Sequence, residues 1–271
     1  MLELEHRFRA VDVHTRLDTR VDTPGRRRRA ITPEELTREM RQAGIVRTVV
    51  FAGGREGSYL SANNAVARHA VDRPFVTFAR LNGPRDPRET PVARLKNLGT
   101  TREDHHVSPE EIERYAYDDR FFGFTLAPAV DGLPGDGVLD RLEDVGLPLL
   151  VRVGEAFPPA ALEATLLGRD LPVIAAHFGG YPLDRDLMDE AISMLQRYDE
   201  YYLDTSVVRY RDVLERAMRE HPDRVLFGSG APDVHPNVGV MELLTLDVPE
   251  DAMRKAFEHN PIRVVPALDG A

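Results

Sequence analysis

The chain has 271 residues, 42% hydrophobic and 30% charged, with a formal net charge of −10, which is the composition of a globular protein rather than a disordered or fibrous one. The acidic surplus argues against nucleic-acid binding through a basic surface, and no apolar run reaches the ~20 residues of a membrane helix. Without cysteine there are no disulfides, thiolate ligands or Cys nucleophile; "MLELEHRFRA" lacks the layout of a secretory leader, so a cytoplasmic location is expected.

In chain order, "FRAVDVHT" (8–15) is an apolar run of strand length. "TPEELTREMRQAG" (32–44) predicts a helix, with Thr32 as N-cap, Pro33 in the first turn, Glu35 closing a capping box and Gly44 as the stop. "VRTVVFAG" (46–53) and "FVTFARLN" (75–82) follow as strands. The irregular stretch 83–107 reads as a long loop with a short helix near 88–98, placed over the C-terminal ends of the strands. "SPEEIERYAYDD" (108–119) starts a second capped helix and leads into "FFGFTLAP" (121–128).

Two further strands are expected at 147–154 and 171–180, then a helix over 183–198 with Leu187, Ile192 and Leu195 on one stripe. A strand at 201–208 precedes a helix at 210–222 that ends at His221-Pro222. The last strand is 224–232, and a helix over 249–261 ends at Asn260-Pro261. Near-continuous apolar strands without strict alternation fit a parallel sheet buried on both faces. Their eightfold alternation with helices predicts one domain, residues 1–271, folded as a (β/α)8 TIM-type barrel. An open doubly wound sheet is the alternative, but no G-x-G-x-x-G follows the first strand.

In such a barrel the C-terminal strand ends converge on one mouth. The first run delivers Asp12, His14 and Arg16 there, the fifth Arg152, the sixth His177, the seventh Asp204, and the eighth Ser229 with Asp233 a few residues on. A single strand-end histidine is more often a hydrogen-bonded structural residue than a ligand; two aimed at one mouth favour function. Asp12 and Asp204 either orient neighbouring groups or cap the following loops. Arg152 ends an apolar strand, where a half-buried guanidinium needs an anionic partner. "RRRR" (26–29) reads as a solvated loop, and the "DHH" at 104–106 is only a weak metal signal.

The motifs "VDVHTR", "GLPLLVRVGE", "AHFGG", "YLDTS" and "RVLFGSGAP", in that order, resemble the amidohydrolase superfamily, in particular its amidohydrolase-related branch. "AGI" before the second strand and "HNPIRVV" near the C-terminus are similar to that branch too, so the resemblance spans residues 8–266. It implies a (β/α)8 barrel that hydrolyses or decarboxylates small carboxylates with one divalent metal, usually zinc. The implied ligands are an H-x-H on the first strand, a His on the sixth, an Asp on the eighth and often a His ending the fifth. His14 and His177 match; Arg16, Arg152 and Gly230 stand where the second His, the fifth-strand His and the Asp belong.

A water-activating zinc site needs three protein ligands and an open position. Two imidazoles alone hold zinc weakly, and guanidiniums ~4–6 Å away add repulsion of about a few kcal/mol at an effective dielectric near 20. The expectation is therefore a hydrolase or lyase for a small carboxylate or phosphate, with no resident metal. Arg16, Arg152 and Ser229 would bind the anion, while His14, His177, Asp204 and Asp233 carry acid–base chemistry. Two alternatives stay open. One is a metal-dependent hydrolase holding zinc or another divalent ion on His14, His177 and Asp233; the other is a non-catalytic anion binder or partner subunit. No nucleic-acid or membrane partner is expected, and a homodimer is compatible with the branch.

Overall fold

A computed structural model describes residues 6–17, 30–53, 58–88 and 103–270, together with 90, 93, 95 and 97. The eight apolar runs are strands: β1 (Ala10–Leu17), β2 (Ile45–Ala52), β3 (Phe75–Leu81), β4 (Phe121–Leu126), β5 (Leu149–Gly154), β6 (Val173–Tyr181), β7 (Tyr201–Asp204) and β8 (Val225–Leu226). They pair in sequence order in one parallel sheet and alternate with helices, which is the (β/α)8 barrel expected from the sequence. Beyond β8 the chain still bonds the first strand, Val13 N–H to Phe227 O at 3.0 Å and Arg16 N–H to Ala231 O at 2.8 Å.

By packing, the chain divides into two units, residues 1–78 with 204–271 and residues 79–203. In the first, Leu36 and Met40 of the helix Pro33–Gln42 and Leu214 and Met218 of the helix Arg211–Glu220 are buried, as are Phe227 and Phe257, whose rings meet at 4.9 Å. In the second, Phe124, Val151 and Ile174 of the strands are buried, with Leu139 and Leu142 of the helix Asp136–Val145 and Met188 and Ile192 of the helix Arg185–Met194. Burial of such side chains contributes about 1.5–3 kcal/mol each, which is why the apolar runs decide the fold.

The capping chemistry holds where the sequence placed it. Thr32 and Glu35 form the reciprocal capping box, Ser108 and Glu111 form a second, and Gly44 follows the first helix at φ +70°. Two expectations are corrected. The runs 201–208 and 224–232 leave the ladder early, at Asp204 and Leu226, because Val207 and Gly230 turn left-handed at φ 64° and 72°. The last helix does not stop at Asn260-Pro261 but continues to Val264 through a π-helical turn, Lys255–His259. The wider turn accommodates the missing Pro261 N–H, and Asn260 Nδ2 donates to Pro222 O and Val225 O at 2.8 and 2.9 Å.

His221, at the C-terminal cap of Arg211–Glu220, has a buried Nε2 with no hydrogen-bond partner. Burial holds this imidazole below the usual histidine range, Glu220 working against the shift and Arg224 adding to it. A depressed folded-state value means that protonation favours the unfolded chain. The neutral ring's contribution is complete above the unfolded value, about 6.5, and is lost as pH falls below it. We expect His221→Gln to flatten the fall in stability between about pH 7.5 and pH 5.5, measured by urea unfolding. Parallel curves for the two proteins would show that His221 does not titrate with unfolding.

Candidate metal and anion centre

The first unit carries β1. Asp12 faces Thr48 on β2 while Thr15 faces Val50, so β1 carries one extra residue between them, a bulge that re-aims His14. Asp12 is buried beneath it and accepts four hydrogen bonds. Its Oδ1 takes the backbone N–H groups of His14 and Ser229, both at 2.9 Å; its Oδ2 takes the hydroxyls of Thr15 at 3.0 Å and Ser229 at 2.6 Å. Desolvation pushes this carboxyl above its ordinary value, with those four bonds pulling the other way. Ser229 is buried, and its hydroxyl also accepts Ala231 N–H at 3.1 Å, so it ties the loop after β8 to β1.

His14 Nδ1 lies 2.6 Å from Asp204 Oδ2. The carboxylate of Asp204 is fully buried, and its Oδ1 accepts both the N–H of Ser206, at 2.9 Å, and the Ser206 hydroxyl. A carboxylate can only accept here, so Nδ1 carries the proton and the lone pair of His14 is on Nε2. The Phe51 ring meets the imidazole edge-on at 5.3 Å. Gly228 makes the pairing possible: a Cβ on it would stand 3.1 Å from His14 Cβ and 3.2 Å from Asp204 Cγ.

Arg16, next on the same face of β1, donates from Nη2 to Asp233 Oδ1 at 2.9 Å. Its charge thus faces a carboxylate within the protein. Asp233 is correspondingly turned to Arg16, and Asp204 is the carboxylate beside His14.

In the second unit, the "HFGG" of β6 does something no regular strand does. Arg152 of β5 pairs with Ala176 and Gly154 with Tyr181, five steps on β6 against two on β5. The surplus is a left-handed turn: φ is 59° at His177, 52° at Phe178 and 76° at Gly179. Left-handed conformation costs about 1–3 kcal/mol at each non-glycine residue, and such strain persists where surrounding contacts impose it. Gly179 and Gly180 allow the turn to pack on the next helix, since a Cβ would come within 2.7 Å of Ala191 Cβ and 2.4 Å of Asp184 O. The turn brings the His177 and Tyr181 rings to 4.9 Å, and the Arg152 guanidinium carbon sits over the Tyr181 ring at 3.9 Å.

Sequence reasoning missed several of these groups. Ser206, two residues after Asp204, was not singled out by the sequence. Tyr181 carried no signal, and neither did the buried pair of Arg80 and Asp131, joined by bonds of 2.9 and 3.0 Å. Asn82, at the end of β3, donates to His105 O and accepts Val107 N–H, both at 2.9 Å, and so pins the far end of the 83–107 loop. His105 and His106 are in turn engaged by Glu103, by its carboxylate at 3.3 Å and its N–H at 3.1 Å. The arginine run 26–29 lies outside the described residues, as does most of the expected helix near 88–98, of which residues 93, 95 and 97 are helical.

In the first unit, His14 and Asp204 bring an imidazole and a carboxylate together at 2.6 Å. Imidazole and carboxylate are donors suited to divalent transition metals. The buried Asp204 behind Nδ1 is the support that metal-ligating histidines characteristically carry, and the pairing of Arg16 with Asp233 removes part of the repulsion a cation would meet. The residues therefore fit a divalent ion, and the expectation of no resident metal is not supported.

No curated protein matches the chain by sequence. Solved structures similar to it include 2,6-dihydroxybenzoate decarboxylase from Rhizobium, at TM-score 0.66 and 14% identity over 97% of this chain and 100% of that one. The 5-carboxyvanillate decarboxylase of Sphingomonas paucimobilis matches at TM-score 0.64 and 14% identity, covering 96% of this chain and 99% of that one. A dihydroxybenzoic acid decarboxylase from Polaromonas, solved with manganese and the inhibitor 2-nitroresorcinol, matches at TM-score 0.63 and 15% identity over 97% and 98% of the two chains. These likenesses show the fold. The sequence model of the amidohydrolase family matches residues 11–267, nearly the whole chain, and the protein therefore belongs to the amidohydrolase family.

Proposed function

We propose that residues 1–271 form one catalytic domain, a lyase or hydrolase that acts on small carboxylates with a divalent ion for which His14, oriented by Asp204, is a ligand, His177 being the sixth-strand ligand that the family resemblance implies. The observation that carries this reading is the His14–Asp204–Ser206 arrangement, a buried carboxylate that accepts from Nδ1–H and so directs the imidazole lone pair to Nε2. The names of the structural relatives, decarboxylases of aromatic carboxylates and one of them with manganese, favour carbon–carbon cleavage over hydrolysis. A bound divalent ion supplies Lewis acidity, polarising an anionic substrate oxygen or acidifying a water.

The chain's own residues do the rest. Asp204 and Ser206 hold the His14 ring, and Asp12 holds the backbone that carries it. The left-handed turn presents His177 at the end of β6. Arg152 supplies positive charge and N–H donors for a carboxylate. Arg16 and Asp233 link β1 to the loop after β8 and keep that wall in place.

Metal analysis of the purified protein, before and after addition of manganese, tests the reading. Retention of about one ion per chain, lost in His177→Ala and accompanied by release of CO2 from a carboxylate panel including 2,6-dihydroxybenzoate, is the expected result. Equal and negligible retention in both proteins would overturn the metal assignment and return the site to a metal-free arginine–histidine centre.

A further inference from the structure

We propose that Tyr181 is a positioning residue that sets the orientation of Arg152 and thereby the preference of the site for a carboxylate; this deepens, and rests on, the carboxylate reading above. Three local observations converge on it. The guanidinium carbon of Arg152 lies over the Tyr181 ring at 3.9 Å, closer than the 5.6–5.8 Å at which Arg7, Arg120, Arg197 and Arg254 meet their rings. Tyr181 is placed there by backbone rather than by chance of rotamer, because β6 rejoins β5 at this residue, Tyr181 opposite Gly154, after its left-handed turn. The approach is possible only because residue 154 lacks a side chain; a Cβ there would stand 2.1 Å from Tyr181 O.

An arginine side chain is long and flexible, and its value in anion recognition depends on how much freedom it has already lost. The ring contact engages the face of the guanidinium. The N–H donors lie in the plane of that group, so the contact restrains the side chain without drawing on the donors a carboxylate uses. Loss of the aromatic face should therefore weaken recognition of the carboxylate specifically, by about threefold to thirtyfold on the scale of cation–ring contacts. The phenol hydroxyl plays no part in this, and Phe should serve as well as Tyr.

The test is isothermal titration of the full-length, manganese-supplemented protein with 2,6-dihydroxybenzoate and with resorcinol, the same ring without the carboxylate. Manganese affinity of each variant is read separately by electron paramagnetic resonance. The wild type is expected to favour the carboxylate about 10- to 100-fold, the scale of a charge-assisted hydrogen bond, and Arg152→Met to lose that preference. Tyr181→Leu should lose about threefold to thirtyfold of it with manganese affinity unchanged, while Tyr181→Phe retains it. If Tyr181→Leu keeps the full preference that Arg152→Met loses, the inference is overturned and the carboxylate reading stands. If Tyr181→Leu loses manganese together with the preference, the ring acts on His177 and the inference is again overturned. Absence of any preference in the wild type would defeat the carboxylate reading itself.

Discussion

Asp204→Asn is expected to weaken manganese binding by about 10- to 100-fold while leaving the barrel folded. The two side chains are nearly identical in shape, so the buried pocket stays filled. The chemistry does not. Asp204 accepts on both oxygens, from Ser206 at Oδ1 and from His14 at Oδ2. An asparagine can keep only one of these. With its oxygen towards the two Ser206 donors, its NH2 faces His14 Nδ1, which must then accept, and the imidazole proton moves to Nε2. A protonated Nε2 neither ligates a cation nor acts as a base. The mismatch costs about 1–3 kcal/mol of stability if the ring fails to adjust. Manganese titration gives the affinity, and nitrogen NMR of the His14 ring reports the tautomer directly. Affinity within about twofold of wild type, with the Nδ1–H tautomer retained, would show that Asp204 neither ligates nor orients.

Gly230→Asp is expected to destabilise the protein by about 2–5 kcal/mol and to gain no metal affinity. Gly230 has φ +72°, and a Cβ there would lie 2.9 Å from Val207 Cγ2 and 3.3 Å from Ser206 Cβ. Val207 is itself left-handed at φ 64° and β-branched, so it has little room to retreat. The space an aspartate needs is occupied by the segment that carries Ser206, the residue bonding Asp204. The space beside Gly230 is closed to a side chain by Val207 and Ser206. Urea unfolding measures the loss, and manganese titration checks the affinity. A variant as stable as wild type that binds manganese more tightly would reverse the conclusion.

How much of this was written in the residues depends on the distance over which each feature acts. The strands were legible because burial on both sides demands continuous apolar runs, as in "LPLLVRVG" and "LPVIAAHF". The capped helices were legible because Thr32–Glu35 and Ser108–Glu111 act within one turn. The helix Tyr59–Ala70 was not, since it buries only Asn63, Val66 and Ala67 and shows no apolar stripe. The π-helical turn was missed because Pro261 suggests a stop, and only the packing of Phe257 and the Asn260 bonds explain why the coil runs on.

The site divides in the same way. Residue type and strand-end position singled out His14, His177, Asp204, Arg16 and Arg152. Partnership did not follow from type. Asp204 meets a histidine 190 positions earlier, Asp233 meets Arg16 across 217, and Ser229 meets Asp12 across 217. Each choice is made when strands lock into register, and register is a property of the closed sheet. The sequence by itself determined the barrel and the inventory of groups at its strand ends, because burial and capping act locally. Only the tertiary structure decided that Arg16 faces Asp233, that Ser229 is a clamp and that Asp204 stands behind His14, because hydrogen bonds and charges are settled by what the fold brings within about 3 Å.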